Sequence, residues 1–116
     1  MATFEDGRSI ASGLPEVEEV LTWGTDATFR VRKKIFGIGG EGSDGVSIKA
    51  TLERQADLLA LDSETFASSA YVGRFGWVTV RLDRVDDALL RELITDAWRS
   101  VAPKRLLSGS VPEDVG

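Results

Sequence analysis

The chain has 116 residues, a formal net charge of −5 and neither cysteine nor histidine. That is one domain's length, and the two absences remove disulfides, thiolate zinc sites, cysteine nucleophiles, histidine bases and Ser-His-Asp triads together. The acidic balance argues against generic nucleic-acid binding, which draws its affinity mainly from cations near phosphates.

Thr3-Phe4-Glu5-Asp6 has capping-box spacing, so a short first helix is expected from there to Gly13, carrying Ile10 and broken by Leu14-Pro15. Glu16 to Trp23 reads as a first strand stopping at Gly24. Phe29 to Arg32 and Lys34 to Ile38 read as a hairpin whose tight turn is Arg32-Lys33. Neither turn residue suits the positive φ that two-residue hairpins want, so strain or a bulge is expected there. Gly39 to Gly45 reads as a flexible loop before a strand over 46 to 50. Thr51 caps a helix with Leu52, Ala56 and Leu59 at helical spacing, followed by a short helical piece around Glu64 to Ser68. The strand Trp77 to Leu82 comes next. The last helix is the best defined: Asp86 caps it, Val85 and Leu90 have staple spacing, and Leu90, Leu93, Ile94, Ala97, Trp98 and Val101 form one apolar stripe that Pro103 ends. Ser108 to Gly116 has the composition of a disordered tail. The order implies an α+β fold, a two-layer sandwich with an antiparallel five-stranded sheet and helices on one face. Residues 1–106 make the domain and 107–116 the tail, and a monomer is favoured over an oligomer.

The longest apolar runs are far short of a membrane span, and Met1 to Asp6 is acidic where a signal peptide would be basic. A cytoplasmic protein without a membrane partner is therefore expected.

Two strands are apolar on one side only. In 46 to 50 the polar residues are Ser47 and Lys49, and in 77 to 82 Trp77, Thr79 and Arg81 alternate with aliphatics. The open face of the sheet should then carry Arg30, Lys49, Arg81 and an at least partly accessible Trp77, with Trp98 buried opposite. The only basic segment lies in the same region: Arg30, Arg32, Lys33, Lys34 and Lys49 face only Glu41 and Asp44 between residues 30 and 49, whereas residues 1 to 29 hold Arg8 against six acids. Cations around an aromatic suit an anionic or planar partner.

Other patterns carry less. Gly37-Ile38-Gly39-Gly40-Glu41-Gly42 satisfies G-x-G-x-x-G, but a strand follows where the dinucleotide fingerprint needs a helix N-terminus. Glu16, Glu18 and Glu19 with Glu5 and Asp6 read as a solvated acidic edge rather than a metal site. Ser47 and Lys49 read as a polar sheet face rather than a nucleophile pair. No catalytic residue, metal or cofactor is assigned.

Trp23-Gly24, Phe29-x-Val31-x-x-Lys34-x-Phe36, Val46-Ser47-Ile48-Lys49, Tyr71, Arg74, Trp77-Val78-Thr79-Val80 and a closing helix over Leu89 to Val101 with Lys104 follow in an order that resembles the MmcQ/YjbR-like family, over residues 5 to 106. The resemblance implies a frataxin-like fold, an antiparallel sheet with helices packed on one face, and DNA binding through a double-wing motif. It also brings Arg74 into the candidate set, at a place where relatives tend to carry lysine. Two departures are the basic turn Arg32-Lys33, where relatives usually have small residues, and Ala97-Trp98 in place of a frequent Ser-Tyr pair. The expected function is a non-enzymatic module that binds DNA weakly through Arg30, Arg32, Lys33, Lys34, Lys49, Arg74, Trp77 and Arg81. The alternative is a small anionic ligand or a protein on the same face.

Overall fold

Thr3 starts helix α1 (Phe4–Ser12) with a complete capping box: its hydroxyl accepts from Asp6 N–H at 3.3 Å and its own N–H donates to the Asp6 carboxylate at 2.9 Å. The computed structural model describes residues 2–22, 26–40, 44–70 and 72–109. After α1 come β1 (Val17–Thr22), β2 (Asp26–Val31), β3 (Lys34–Gly40), β4 (Gly45–Ile48), α2 (Leu52–Leu61), β5 (Phe66–Ser68), a single 3-10 turn (Gly73–Phe75), β6 (Val78–Arg81), α3 (Asp87–Val101) and α4 (Lys104–Gly109). The strands form one antiparallel sheet in the order β1-β2-β3-β4-β6-β5.

The sheet thus has six strands rather than five. The extra one is β5, in the stretch where the sequence pattern predicts a short helical piece. Asp62 stops α2 and turns the chain, accepting from the Glu64 N–H at 3.1 Å and the Thr65 hydroxyl at 2.6 Å, and the next three residues pair with β6. A three-residue strand is too short to show alternation, which is why periodicity misses it.

Helices α1 and α3 pack on one face of the sheet and on each other, while α2 packs against β5. α3 buries the stripe expected of it, Leu90, Leu93, Ile94, Ala97, Trp98 and Val101, behind an Asp86 cap that accepts from Leu89 N–H. Trp98 is 3% exposed, and its indole N–H donates to the Pro15 carbonyl at 3.0 Å, so the ring is buried without losing a hydrogen bond. α2 departs from its expected stripe. It buries Leu58 and partly Leu59, while Leu52 and Ala56 face solvent, because packing mainly against the short strand β5 covers a narrower strip of the helix than a sheet face would.

Glycines Gly39 and Gly40, expected in a loop, close β3, and residues 41–43 lie outside the described residues. Gly39 has a packing reason. A Cβ there would come 2.9 Å from the Phe4 ring, so the bare backbone lets α1 lie close on β3. Residues Trp23, Gly24 and Tyr71 of the family pattern also lie outside the described residues, as do 110–116 of the expected tail. α4 runs through Gly109.

Candidate nucleic-acid interface

The β2–β3 hairpin carries the basic segment, and its geometry is costly. Arg32 and Lys33 form the two-residue turn with φ of 51° and 72°. Both are in the left-handed region, which costs an L-residue roughly 1–2 kcal/mol and which hairpins normally fill with Asn-Gly. The register also slips once, Phe29 facing Gly37 while Arg30 faces Ile35, so that Phe36 is an extra residue in β3. Strain and a bulge are therefore both present. The bulge re-aims the strand: Phe36 is buried in the core while Ile38 sits in line with Ser47 on the opposite face.

At the tip, Arg32, Lys33 and Lys34 are exposed. Arg30 lies one turn of the ladder back, where its Nε donates to the Thr28 hydroxyl at 2.9 Å, and that hydroxyl donates to the Val20 carbonyl at 3.1 Å. Arg30 is thereby laid along the open face instead of projecting freely.

Parity along β6 holds for the strand itself. Val78 and Val80 and the following Leu82 are buried in the core, Thr79 is half-buried on the open face and Arg81 is exposed. It fails at Trp77, which is 8% exposed rather than accessible. Trp77 precedes β6, and there its carbonyl takes the Ser69 N–H at 3.2 Å and the Gln55 side-chain amide at 2.7 Å. The segment after β5 and the Gln55 side chain thus hold the backbone just before β6, outside the strand whose alternation was read.

The cations do not gather as expected either. Arg81 faces Gly45 at the start of β4, whereas Lys49 lies four residues further on, roughly 13 Å along the strand. Lys49 lines a groove with Thr51, Arg54, Leu93, Asp96 and Ser100, where the chain leaves the sheet for α2. Arg81 pairs with Asp83 at 3.1 Å, and Arg74 lies 4.8 Å over the Phe75 ring on the 3-10 turn. The structure keeps Arg32, Lys33 and Lys34 together at the tip, with Arg30 two residues back and turned toward Thr28, and disperses Lys49, Arg74, Trp77 and Arg81.

What occupies the centre of the open face is neutral. Ser47 and Thr79 face each other across β4 and β6, and Ser69 completes a triangle of hydroxyls with separations of 2.9, 3.2 and 3.3 Å. Three hydroxyls in a ring can each donate to one neighbour and accept from the other, so the cluster satisfies itself. Ser69 was not legible as a member, since it lies beyond the end of a strand that periodicity did not reveal.

The acidic edge is engaged internally at every position but Glu18, which is exposed. Glu19 takes a two-pronged contact from Arg8 at 2.9 and 2.5 Å, Arg8 also reaches Glu5 at 2.8 Å, and its guanidinium lies 5.4 Å over Phe4. The Arg8 hydrogen bonds hold the Glu19 carboxyl below the usual glutamate range. Asp6 serves the α1 cap. Among the described residues no group of three acidic side chains is placed to hold a metal ion.

Glu16 makes a contact the sequence did not announce. At φ 60° it accepts from Arg105 Nη2 of α4 at 2.6 Å and from Arg32 Nε of the hairpin turn at 3.4 Å. The Arg105 hydrogen bond, more than the weaker Arg32 contribution, holds its pKa below the usual glutamate value. The available signal was the adjacent pair Lys104-Arg105, a second cluster of cations after Pro103.

The model of the YjbR family matches residues 12–100. The chain belongs to the YjbR family. Its fold is that of a crystal structure of the Deinococcus radiodurans protein DR2400, a DUF419 domain, with a TM-score of 0.80 and 26% identity over 90% of this chain and 82% of that one. No curated protein matches. This YjbR-family chain therefore shares the α+β architecture of that structure, and no helix among its described residues is long and apolar enough to cross a membrane.

Proposed function

We propose that this YjbR-family chain is a non-enzymatic binding module that contacts the phosphate backbone of duplex DNA, weakly, through the tip of the β2–β3 hairpin. The observation that supports the reading is the turn itself. Two consecutive cationic residues sit in left-handed backbone where neutral Asn-Gly would be more stable, so the turn gives up stability and presents charge. Lys34 follows the turn on β3, and Arg30 stands two residues before it on β2. The resemblance that links the family to DNA points the same way.

Four phosphate contacts correspond to a slope of about 3.6 in log affinity against log salt, or a loss of roughly a hundredfold between 50 and 200 mM. The test is fluorescence anisotropy with a labelled duplex, comparing the wild type with the double variant Arg32→Asn, Lys33→Gly. That variant keeps the turn and removes two charges, so its slope should fall by about 1.8. Equal binding by the two proteins, or no wild-type binding at 50 mM salt, overturns the reading.

A further inference from the structure

Glu16 is placed where an incoming phosphate would be useful. Its carboxylate is shared by two guanidiniums that reach it from different sides, one from the hairpin turn and one from α4. A tetrahedral phosphate is gripped in the same way by arginines, which present planar forks of donors to neighbouring anionic oxygens. The arrangement is open to solvent: the side chains of Arg32, Arg105 and Glu16 are 54%, 59% and 38% exposed. Lys33 and Lys34 extend it on the hairpin side and Lys104 on the α4 side, all three exposed. Glu18, also exposed, shares the shallow surface around Glu16 and Arg32 and is the further acid there.

We propose that Arg32, Arg105 and Lys104 form one phosphate seat, continuous with the hairpin tip, and that Glu16 fills this seat in the free protein as an internal anion which a backbone phosphate of the duplex displaces. The proposal rests on the DNA reading above and adds to it a second contact element, α4, and a built-in competitor. Exposed ion pairs contribute little to stability, so exchanging the carboxylate for a phosphate costs the fold little. A duplex would then be tracked from the hairpin tip to α4, and the affinity of the wild type would be set below what its cations alone would give.

The experiment is the same anisotropy titration, extended to Glu16→Gln, Lys104→Gln and the pair Lys104→Gln with Arg105→Gln. The amide keeps the shape of Glu16 and removes its charge, so Glu16→Gln should bind the duplex about three- to tenfold more tightly at 50 mM salt. The α4 pair should bind more weakly, its salt slope lower by about 1.8, and Lys104→Gln alone by about 0.9. Lys104→Gln leaves the Arg105–Glu16 contact intact, so a loss there is a loss of a ligand contact and not of an internal one. If Glu16→Gln binds no more tightly, or the α4 variants match the wild type while the hairpin variant is weakened, the seat is disproved and the hairpin reading stands. If neither the wild type nor Glu16→Gln binds at low salt, both fail.

Discussion

The two faces of the sheet are built from the same alternating strands and use opposite kinds of energy. On the covered face, Phe29, Val31, Phe36, Ile48, Val78 and Val80 are all at most 3% exposed against α1 and α3. They act through apolar area, which needs no particular orientation of each group. On the open face, Arg30, Thr28, Ser47, Thr79 and Ser69 act through directed hydrogen bonds to one another. Alternation tells which face a residue belongs to. It does not tell whether a polar group there is free for a ligand, and at the centre of the open face the groups are spent on each other. Charge available to a partner is displaced to the rim, at the hairpin tip and beside α4.

The sharpest way to test that contrast is to empty a position on the covered side. Trp98→Ala should cost roughly 3–5 kcal/mol in urea unfolding, because it opens a cavity in α3's stripe and removes the hydrogen bond to Pro15. Duplex affinity measured well below the unfolding transition should be unaltered. A loss under 1 kcal/mol would mean that the helix-covered side is not what holds this fold.

At the rim the sign reverses. Arg32→Asn with Lys33→Gly should raise stability by about 1 kcal/mol, since Gly removes one left-handed L-residue and Asn tolerates the region better than Arg, while it weakens binding as described above. A variant that is both less stable and weaker in binding would show that the turn's charge is structural.

The smallest effect concerns the ionic clamp between α1 and β1, Arg8 with Glu19. The folded-state pKa of Glu19 is lowered by its Arg8 hydrogen bonds. The stability it contributes is therefore present above the ordinary glutamate value of 4.5 and is lost as pH falls through the lower folded-state value. Thermal melts of Glu19→Gln should show a shallower acid decline than the wild type below that pH, with the gap between the two proteins narrowing as the acid limb is descended. Parallel acid limbs would remove Arg8 and Glu19 from the account of how α1 is fastened to β1.

How much of this was readable beforehand follows the length over which each signal acts. The capping box at Thr3, the stripe and cap of α3, the hairpin turn and the parity of Val78, Val80 and Leu82 all arise from residues within a few positions of one another, and local backbone geometry enforces them. The strain at Arg32-Lys33 was legible for the same reason: a two-residue turn demands positive φ whatever surrounds it. Strand β5 was too short to leave a period, and Trp77 lies just outside β6, where Gln55 and Ser69 of other segments bond its carbonyl and strand alternation does not set burial. The dispersal of Lys49 and Arg81 depends on the register between β4 and β6, and the meeting of Arg32, Glu16 and Arg105 on where α4 docks. Composition and local pattern by themselves determined the class of fold, its core and its basic hairpin. Which charges stand together was decided by tertiary structure, because registers and helix docking are set by the packing of distant residues and by nothing in a charged residue's own neighbourhood along the chain.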